Sequence, residues 1–216
     1  MMTETIDPLI QQALDNLKRL PEVTDFAERA KADALQRTHS LRTNWNAPER
    51  HVAKRLGTNP HPWREKLAAV GGRIGKGMMV GLVGGRGTGK TQLAVEVMRE
   101  STRHGRSALF TTAMDFFIEI KRTYRKDSEQ DERAVLGRYK RRKLLVIDEI
   151  GKRSESEWEN NLLFTVLNSR YNDVLDTILI DNRSKEDFVA TIGPSLADRM
   201  NECGGIIECN WPSFRC

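Results

Sequence analysis

Residues 78–98 read MMVGLVGGRGTGKTQLAVEVM: an apolar run, a glycine-rich loop and an amphipathic segment in unbroken succession. Met78 to Val83 has the length and composition of a buried strand. The loop Gly84, Gly85, Arg86, Gly87, Thr88, Gly89, Lys90, Thr91 fits G-x-x-x-x-G-K-T, and the helical pattern starting at Gln92 supplies the context this motif requires. Glycines are needed because backbone N–H groups must turn inward around phosphates, where side chains would collide or forbid the backbone angles. Lys90 is then expected to reach the β and γ phosphates of ATP, and the Thr91 hydroxyl to bind Mg²⁺ at the positive end of the following helix. An accidental glycine-rich turn is the competing account, and spacing and context together disfavour it.

Further along, residues 143–151 read KLLVIDEIG, an apolar run that stops on Asp148 and Glu149. Desolvated carboxylates need a cation or a water to offset their cost. Asp148 is expected to hold Mg²⁺, directly or through water, and Glu149 to polarise the water that attacks the γ phosphate. A strand ending in an exposed acidic turn is the alternative. The run Thr177 to Ile180 leads into Asp181, Asn182 and Arg183, and Asn182 is a candidate to position the same water. Ser184 and Asp187 have the spacing of a helix cap, which competes for this stretch.

Five apolar runs, Met78–Val83, Ala108–Thr111, Leu144–Ile147, Thr177–Ile180 and Ile206–Cys209, are separated by helix-like sequence. Strands alternating with helices predict an α/β fold with a parallel five-stranded sheet flanked by helices. Upstream, Ile6, Ile10, Ala13, Leu14 and Leu17 recur at helical spacing before Pro21, and Phe26, Ala30, Ala34 and Leu35 do so between Asp25 and Leu41. Pro and Gly become dense from Asn44 to Gly77, around one expected helix near Trp63 to Val70. The expected division is a helical N-terminal extension and linker over 1–57, followed by the nucleotide domain over 58–216.

The 216 residues are 38% hydrophobic and 30% charged, as in a soluble protein with a modest core. No run approaches the roughly 18 apolar residues of a membrane span, and Met1 to Asp7 lacks the order of a signal peptide, so a cytosolic protein is expected. Net charge is +5 and unevenly spread. Between Lys121 and Lys143 ten basic residues face four acidic ones, an excess of six in one segment. A charge run is either a solvated face or a footprint for a polyanion.

The run LLVIDEIG, the loop GGRGTGKT, residues 193–200 (GPSLADRM) and the ending GGIIECNWPSFR together resemble the AAA+ ATPases of the DnaC and IstB group, above all the bacterial replicative-helicase loaders. The resemblance covers about Met78 to Arg215. It implies a P-loop AAA+ domain, an ATPase whose short N-terminal domain grips a hexameric helicase, contact with single-stranded DNA, and self-association through the ATP sites. Arg199 matches the group's Asp-Arg-hydrophobic motif and is implied to reach a neighbouring subunit's ATP, whereas a surface arginine or one paired with Asp198 is the plain reading. In loaders the stretch Thr112 to Lys126 lies near the DNA. Lys121, Arg122, Tyr124 and Arg125 are the implied contacts, while Phe116, Phe117 and Ile120 read as core. The expectation is therefore an ATP-hydrolysing loader that delivers a replicative helicase to single-stranded DNA. Two rivals are an IstB-like transposition ATPase acting on duplex DNA with a transposase and a small-molecule P-loop kinase; the Asp148–Glu149 pair and the basic segment disfavour the kinase.

Overall fold

Each of the five apolar runs forms a strand: β1 (Met79–Val83), β2 (Ala108–Thr112), β3 (Leu144–Asp148), β4 (Asp176–Ile180) and β5 (Gly205–Glu208). All neighbours pair in parallel, in the order β2-β3-β4-β1-β5. The computed structural model describes residues 45–54, 62–125 and 127–214. The chain divides into two compact units, Met1–Ser40 and Leu41–Cys216, and every described residue belongs to the second. The amphipathic helices expected over 6–20 and 25–41 lie outside the described residues, as does the expected division between 57 and 58.

Among the described residues the helices are α1 (Glu49–Ala53), α2 (Pro62–Gly71), α3 (Lys90–Arg103), α4 (Ala113–Thr123), α5 (Glu132–Arg141), α6 (Glu157–Asn172), α7 (Lys185–Ile192) and α8 (Pro194–Cys203), with a 3₁₀ turn at Ile150–Lys152. Alternation along each strand sends its side chains to two separate cores. Val80 and Leu82 pack with Leu93, Ala94, Val97 and Met98 of α3. Met79 and Val83 pack on the other face with Phe116, Phe117 and Ile120 of α4 and Val166 and Leu167 of α6. The sheet is covered on both sides, which is why β1, β3 and β4 are buried at every position rather than at alternate ones. Among the described residues no helix is long and apolar enough to cross a membrane.

Residues 45–54, assigned from sequence to the linker, pack on this domain. The Trp45 indole N–H donates to Thr102 Oγ1 at 3.1 Å, and the Phe110 N–H donates to the Trp45 carbonyl at 2.6 Å. At the C-terminal end of α1, Gln92 Nε2 donates to the carbonyls of His51 (3.2 Å) and Lys54 (2.9 Å), and Arg99 Nη2 to those of His51, Val52 and Lys54. Carbonyls at the end of a helix lack intrahelical donors, and a cation there also complements the helix dipole.

Two buried charges hold the end of the sheet opposite the glycine-rich loop. Asp176 accepts from the backbone N–H groups of Gly75 (2.7 Å), Gly77 (3.0 Å) and Met78 (3.1 Å) and pairs with Arg106 at 3.2 Å. Gly77 sits at φ 72°, where a Cβ would lie 2.5 Å from Val174 Cγ1. Arg170, fully buried, donates to the Tyr139 and Arg142 carbonyls (2.8 Å each), to Thr177 Oγ1 (2.9 Å) and to the Asp176 carbonyl. Burial pushes its guanidinium down to about 9. Arg170→Ala would leave those acceptors unsatisfied, and chemical denaturation should register a stability loss of about 3–5 kcal/mol. A loss below about 1 kcal/mol would mean that water replaces the guanidinium at little cost.

Candidate nucleotide site

Because β3, β4 and β1 are adjacent and parallel, the segments leaving their C-terminal ends converge on one rim. There they line a cleft of about 620 Å³ whose wall includes Arg86, Gly87, Gly89, Lys90, Thr91, Asp148, Glu149 and Asn182. Gly84 leaves β1 at φ 125°, and a Cβ there would come within 2.7 Å of the Cys209 carbonyl oxygen. Gly89, the residue before α3, is left-handed at φ 84°, ψ 13°. These backbone angles, with φ 82° at Gly87, favour glycine and account for three of the loop's four glycines.

Lys90 is buried, with 4% of its surface exposed. Its Nζ donates to the carbonyls of Gly84 (2.6 Å) and Gly85 (2.7 Å) and lies 3.3 Å from Thr88 Oγ1. The ammonium therefore sits inside the curve of the loop, held by acceptors that phosphate oxygens can replace. Thr91, at the start of α3, donates its hydroxyl to Asp148 Oδ2 at 2.7 Å, and the Glu149 N–H donates to Asp148 Oδ1 at 2.7 Å. Burial pushes the Asp148 carboxyl above its ordinary range, and these two donors oppose the shift. A desolvated carboxylate beside a hydroxyl is a donor set suited to a hard divalent cation that completes its shell with waters and phosphate oxygens. The residues present thus fit Mg²⁺.

Glu149 takes a left-handed conformation, φ 59° and ψ 41°, costly for a residue with a Cβ. Its carboxylate pairs with Lys152 in the 3₁₀ turn. Asn182, half-buried, lies on the cleft wall, and the two readings of its segment separate cleanly. Ser184 Oγ accepts from the Asp187 N–H at 3.1 Å and caps α7, while Asn182 precedes the cap and lines the cleft.

Arg199 is not among the residues lining this cleft. From α8 its guanidinium lies 5.3 Å from the ring centres of both Phe164 and Tyr171, and its Nη1 is buried without a hydrogen-bond partner among the described residues. Phe116, Phe117 and Ile120 are buried, as expected of core. At the end of α4, Lys121 Nζ lies 5.0 Å from the Trp158 ring centre, and Tyr124, 52% exposed, packs edge-on against Trp158 and donates to Glu132 at 3.1 Å. Arg122 and Arg125 line a second cleft, of about 520 Å³, together with Asp115, Glu119, Asp127 and Glu129. The basic segment is thus locally offset by carboxylates, two of which precede Lys121 and escape a charge count begun there.

The rest of the nucleotide cleft comes from Arg50, His51, Lys54, Trp63, Gln92, Lys152 and Phe214. Of these, Trp63, Gln92 and Phe214 belonged to stretches that the sequence singled out, the expected helix near 63–70, the helix after the loop and the W-P-S-F-R ending, but none of the seven was singled out for the nucleotide.

Residues 69–215 match the family described as IstB-like ATP binding protein. Over 130 residues the chain is 31% identical to the replicative helicase loader DnaC of Escherichia coli K12, covering 60% of this chain and 53% of that protein. The chain therefore spans about half the length of the curated relatives it matches. The crystal structure of the DnaC helicase loader superposes with a TM-score of 0.63 at 21% identity, covering 74% of this chain and 99% of that one. AMPPCP-bound DnaA from Aquifex aeolicus superposes with a TM-score of 0.58 at 22% identity, covering 70% and 48%. With the glycine-rich loop, the five-stranded sheet order and the matched span in agreement, the chain belongs to the IstB-like ATP-binding family, the DnaC and IstB group of AAA+ proteins.

Proposed function

We propose that this chain is an ATP-hydrolysing loader that delivers a replicative helicase to single-stranded DNA in the cytoplasm during replication initiation. The observation that carries the ATPase half is the Thr91–Asp148 contact beside Glu149, which assembles a cation site and a carboxylate at one rim. The loader half is supported by the relatives, which bear the name replicative helicase loader.

In this reading the backbone N–H groups from Gly85 to Thr91 bind phosphate oxygens, and Lys90 exchanges the Gly84 and Gly85 carbonyls for the β and γ phosphates. Thr91 and Asp148 would hold Mg²⁺, which when bound offsets the charge that develops on the transferred phosphoryl group. Glu149 accepts a proton from the attacking water, which Asn182 orients. Arg199 serves a neighbouring subunit, and residues 1–57 grip the helicase. Lys121, Arg122, Tyr124 and Arg125 contact DNA.

The match to the IstB-like family favours one further reading, a transposition ATPase acting on duplex DNA. Affinity for single-stranded against duplex oligonucleotides, with ATP present, separates the two, together with co-isolation of a hexameric helicase from host extract. A loader prefers the single strand and brings down the helicase; preference for duplex with no helicase would overturn the proposal. In the same titration, replacing Lys121, Arg122 and Arg125 with Ala should reduce the slope of log affinity against log salt by about 0.7 per lost contact. Tyr124→Ala should weaken binding by about 1–3 kcal/mol at nearly unchanged slope. An unchanged slope and affinity in the triple variant would remove α4 from the DNA surface.

A further inference from the structure

After β5 runs the segment Trp211-Pro212-Ser213-Phe214, a tail that the ATPase chemistry above leaves without a task, and its donors reach the glycine-rich loop. The Trp211 indole N–H donates to the Thr88 carbonyl at 2.7 Å, and the Phe214 N–H donates to the Gly87 carbonyl at 2.9 Å. The Phe214 ring closes on Gly89, whose Cβ position would lie 3.2 Å from Phe214 Cε2, and the same ring lines the nucleotide cleft.

A trans peptide plane points its carbonyl and its N–H in opposite directions. A bond to the Gly87 carbonyl therefore fixes the Thr88 N–H to point away from Phe214, and a bond to the Thr88 carbonyl fixes the Gly89 N–H to point away from Trp211. Those are two of the amides a phosphate-binding loop must present. Glycine-rich backbone is costly to order, so a loop with its peptide planes already set loses less entropy when phosphate arrives.

We propose that Trp211 and Phe214 are positioning residues for the nucleotide: the tail clasps the loop by the Gly87 and Thr88 carbonyls and pre-sets the amides that receive triphosphate. This rests on the loop being the ATP site. Neither residue is asked to touch the reacting atoms.

The test uses the full chain, a fluorescent ATP analogue, and competition by unlabelled ATP and by inorganic tripolyphosphate. Trp211→Phe keeps a ring and deletes the donor, and a second variant lacks residues 211–216. For Trp211→Phe the affinity should fall about 3- to 10-fold, the effect of one hydrogen bond, and equally for ATP and tripolyphosphate, because the amides bind phosphate and not the nucleoside. The deletion should lose more, and the thermal midpoint of Trp211→Phe should stay near that of the parent. Parent-like affinity for both ligands in both variants would overturn the clasp, whatever happens to the thermal midpoint. A loss confined to ATP would also overturn it, since the tail would then contact the nucleoside. Lys90→Ala runs alongside: if it binds as the parent does, the nucleotide assignment of the loop has failed rather than the clasp. Should the deletion fail to fold, Trp211→Phe decides alone.

Discussion

Glu149→Gln is expected to bind ATP about as tightly as the parent while hydrolysing it about 10² times more slowly, the loss that follows removal of a positioned base. Glutamine has the shape of glutamate and keeps the backbone that donates to Asp148 Oδ1, so the Thr91–Asp148 contact survives. It lacks the carboxylate that can take a proton from water. The left-handed backbone at Glu149, on the wall of the cleft, supports this assignment, because strain of about 1–3 kcal/mol persists only where the surroundings impose it. Nucleotide titration and phosphate release on one preparation separate the two constants. If affinity and turnover fall together, Glu149 holds the site's shape; if turnover is normal, another group activates the water.

Arg199→Ala is expected to leave ATP binding by the isolated subunit intact, to abolish ATP-dependent self-association, and to reduce hydrolysis by about 10³ or more, as loss of an arginine finger does. Arg199 is absent from the cleft wall of its own chain and lies over the Phe164 and Tyr171 rings, with Phe164 38% exposed. A guanidinium held within 5.3 Å of two ring centres is restricted in the orientations it can take. Mixing Arg199→Ala with Lys90→Ala supplies an intact arginine from one subunit and an intact loop from the other, so part of the hydrolysis should return. No recovery despite demonstrated mixed assembly would assign Arg199 to its own fold.

The sheet was legible because a strand buried on both faces carries apolar residues at successive positions, as Leu144 to Ile147 and Ile178 to Ile180 do, while the last strand, partly exposed and carrying Glu208, was marked by Ile206 and Ile207 alone. The P-loop was legible for a related reason: Gly84 and Gly89 take backbone angles that favour glycine, so the geometry is written in the residue types. Asn182 and Ser184 illustrate the limit, since one stretch carried two signals and both proved compatible, with the cap on Ser184 and the cleft wall on Asn182. The far wall of the cleft was not legible. His51 and Lys54 reach it through hydrogen bonds to Gln92 of α3, 41 and 38 residues along the chain, and Trp63 through the same core, and no local pattern records such a distance. Charge counting misled in a similar way: Asp115 and Glu119 precede the basic run in sequence but share a cleft with Arg122 and Arg125. The helix-forming stripes upstream of residue 45 fall outside the described residues, and their role in partner binding stays a proposal drawn from the loader reading.

The assignment of the glycine-rich loop as the ATP site bears all the rest, and one measurement tests it most directly: titration of a fluorescent ATP analogue, with Mg²⁺ present, into the parent and into Lys90→Ala. Lys90 holds two loop carbonyls at 2.6 and 2.7 Å from within the loop, so its ammonium already occupies the hollow where phosphate oxygens would take their place. Charged hydrogen bonds contribute about 1.5–3 kcal/mol each, so removing this ammonium should weaken binding by about 10- to 100-fold. The account predicts saturable binding by the parent and that loss in the variant. Equal affinity in the two proteins would contradict it.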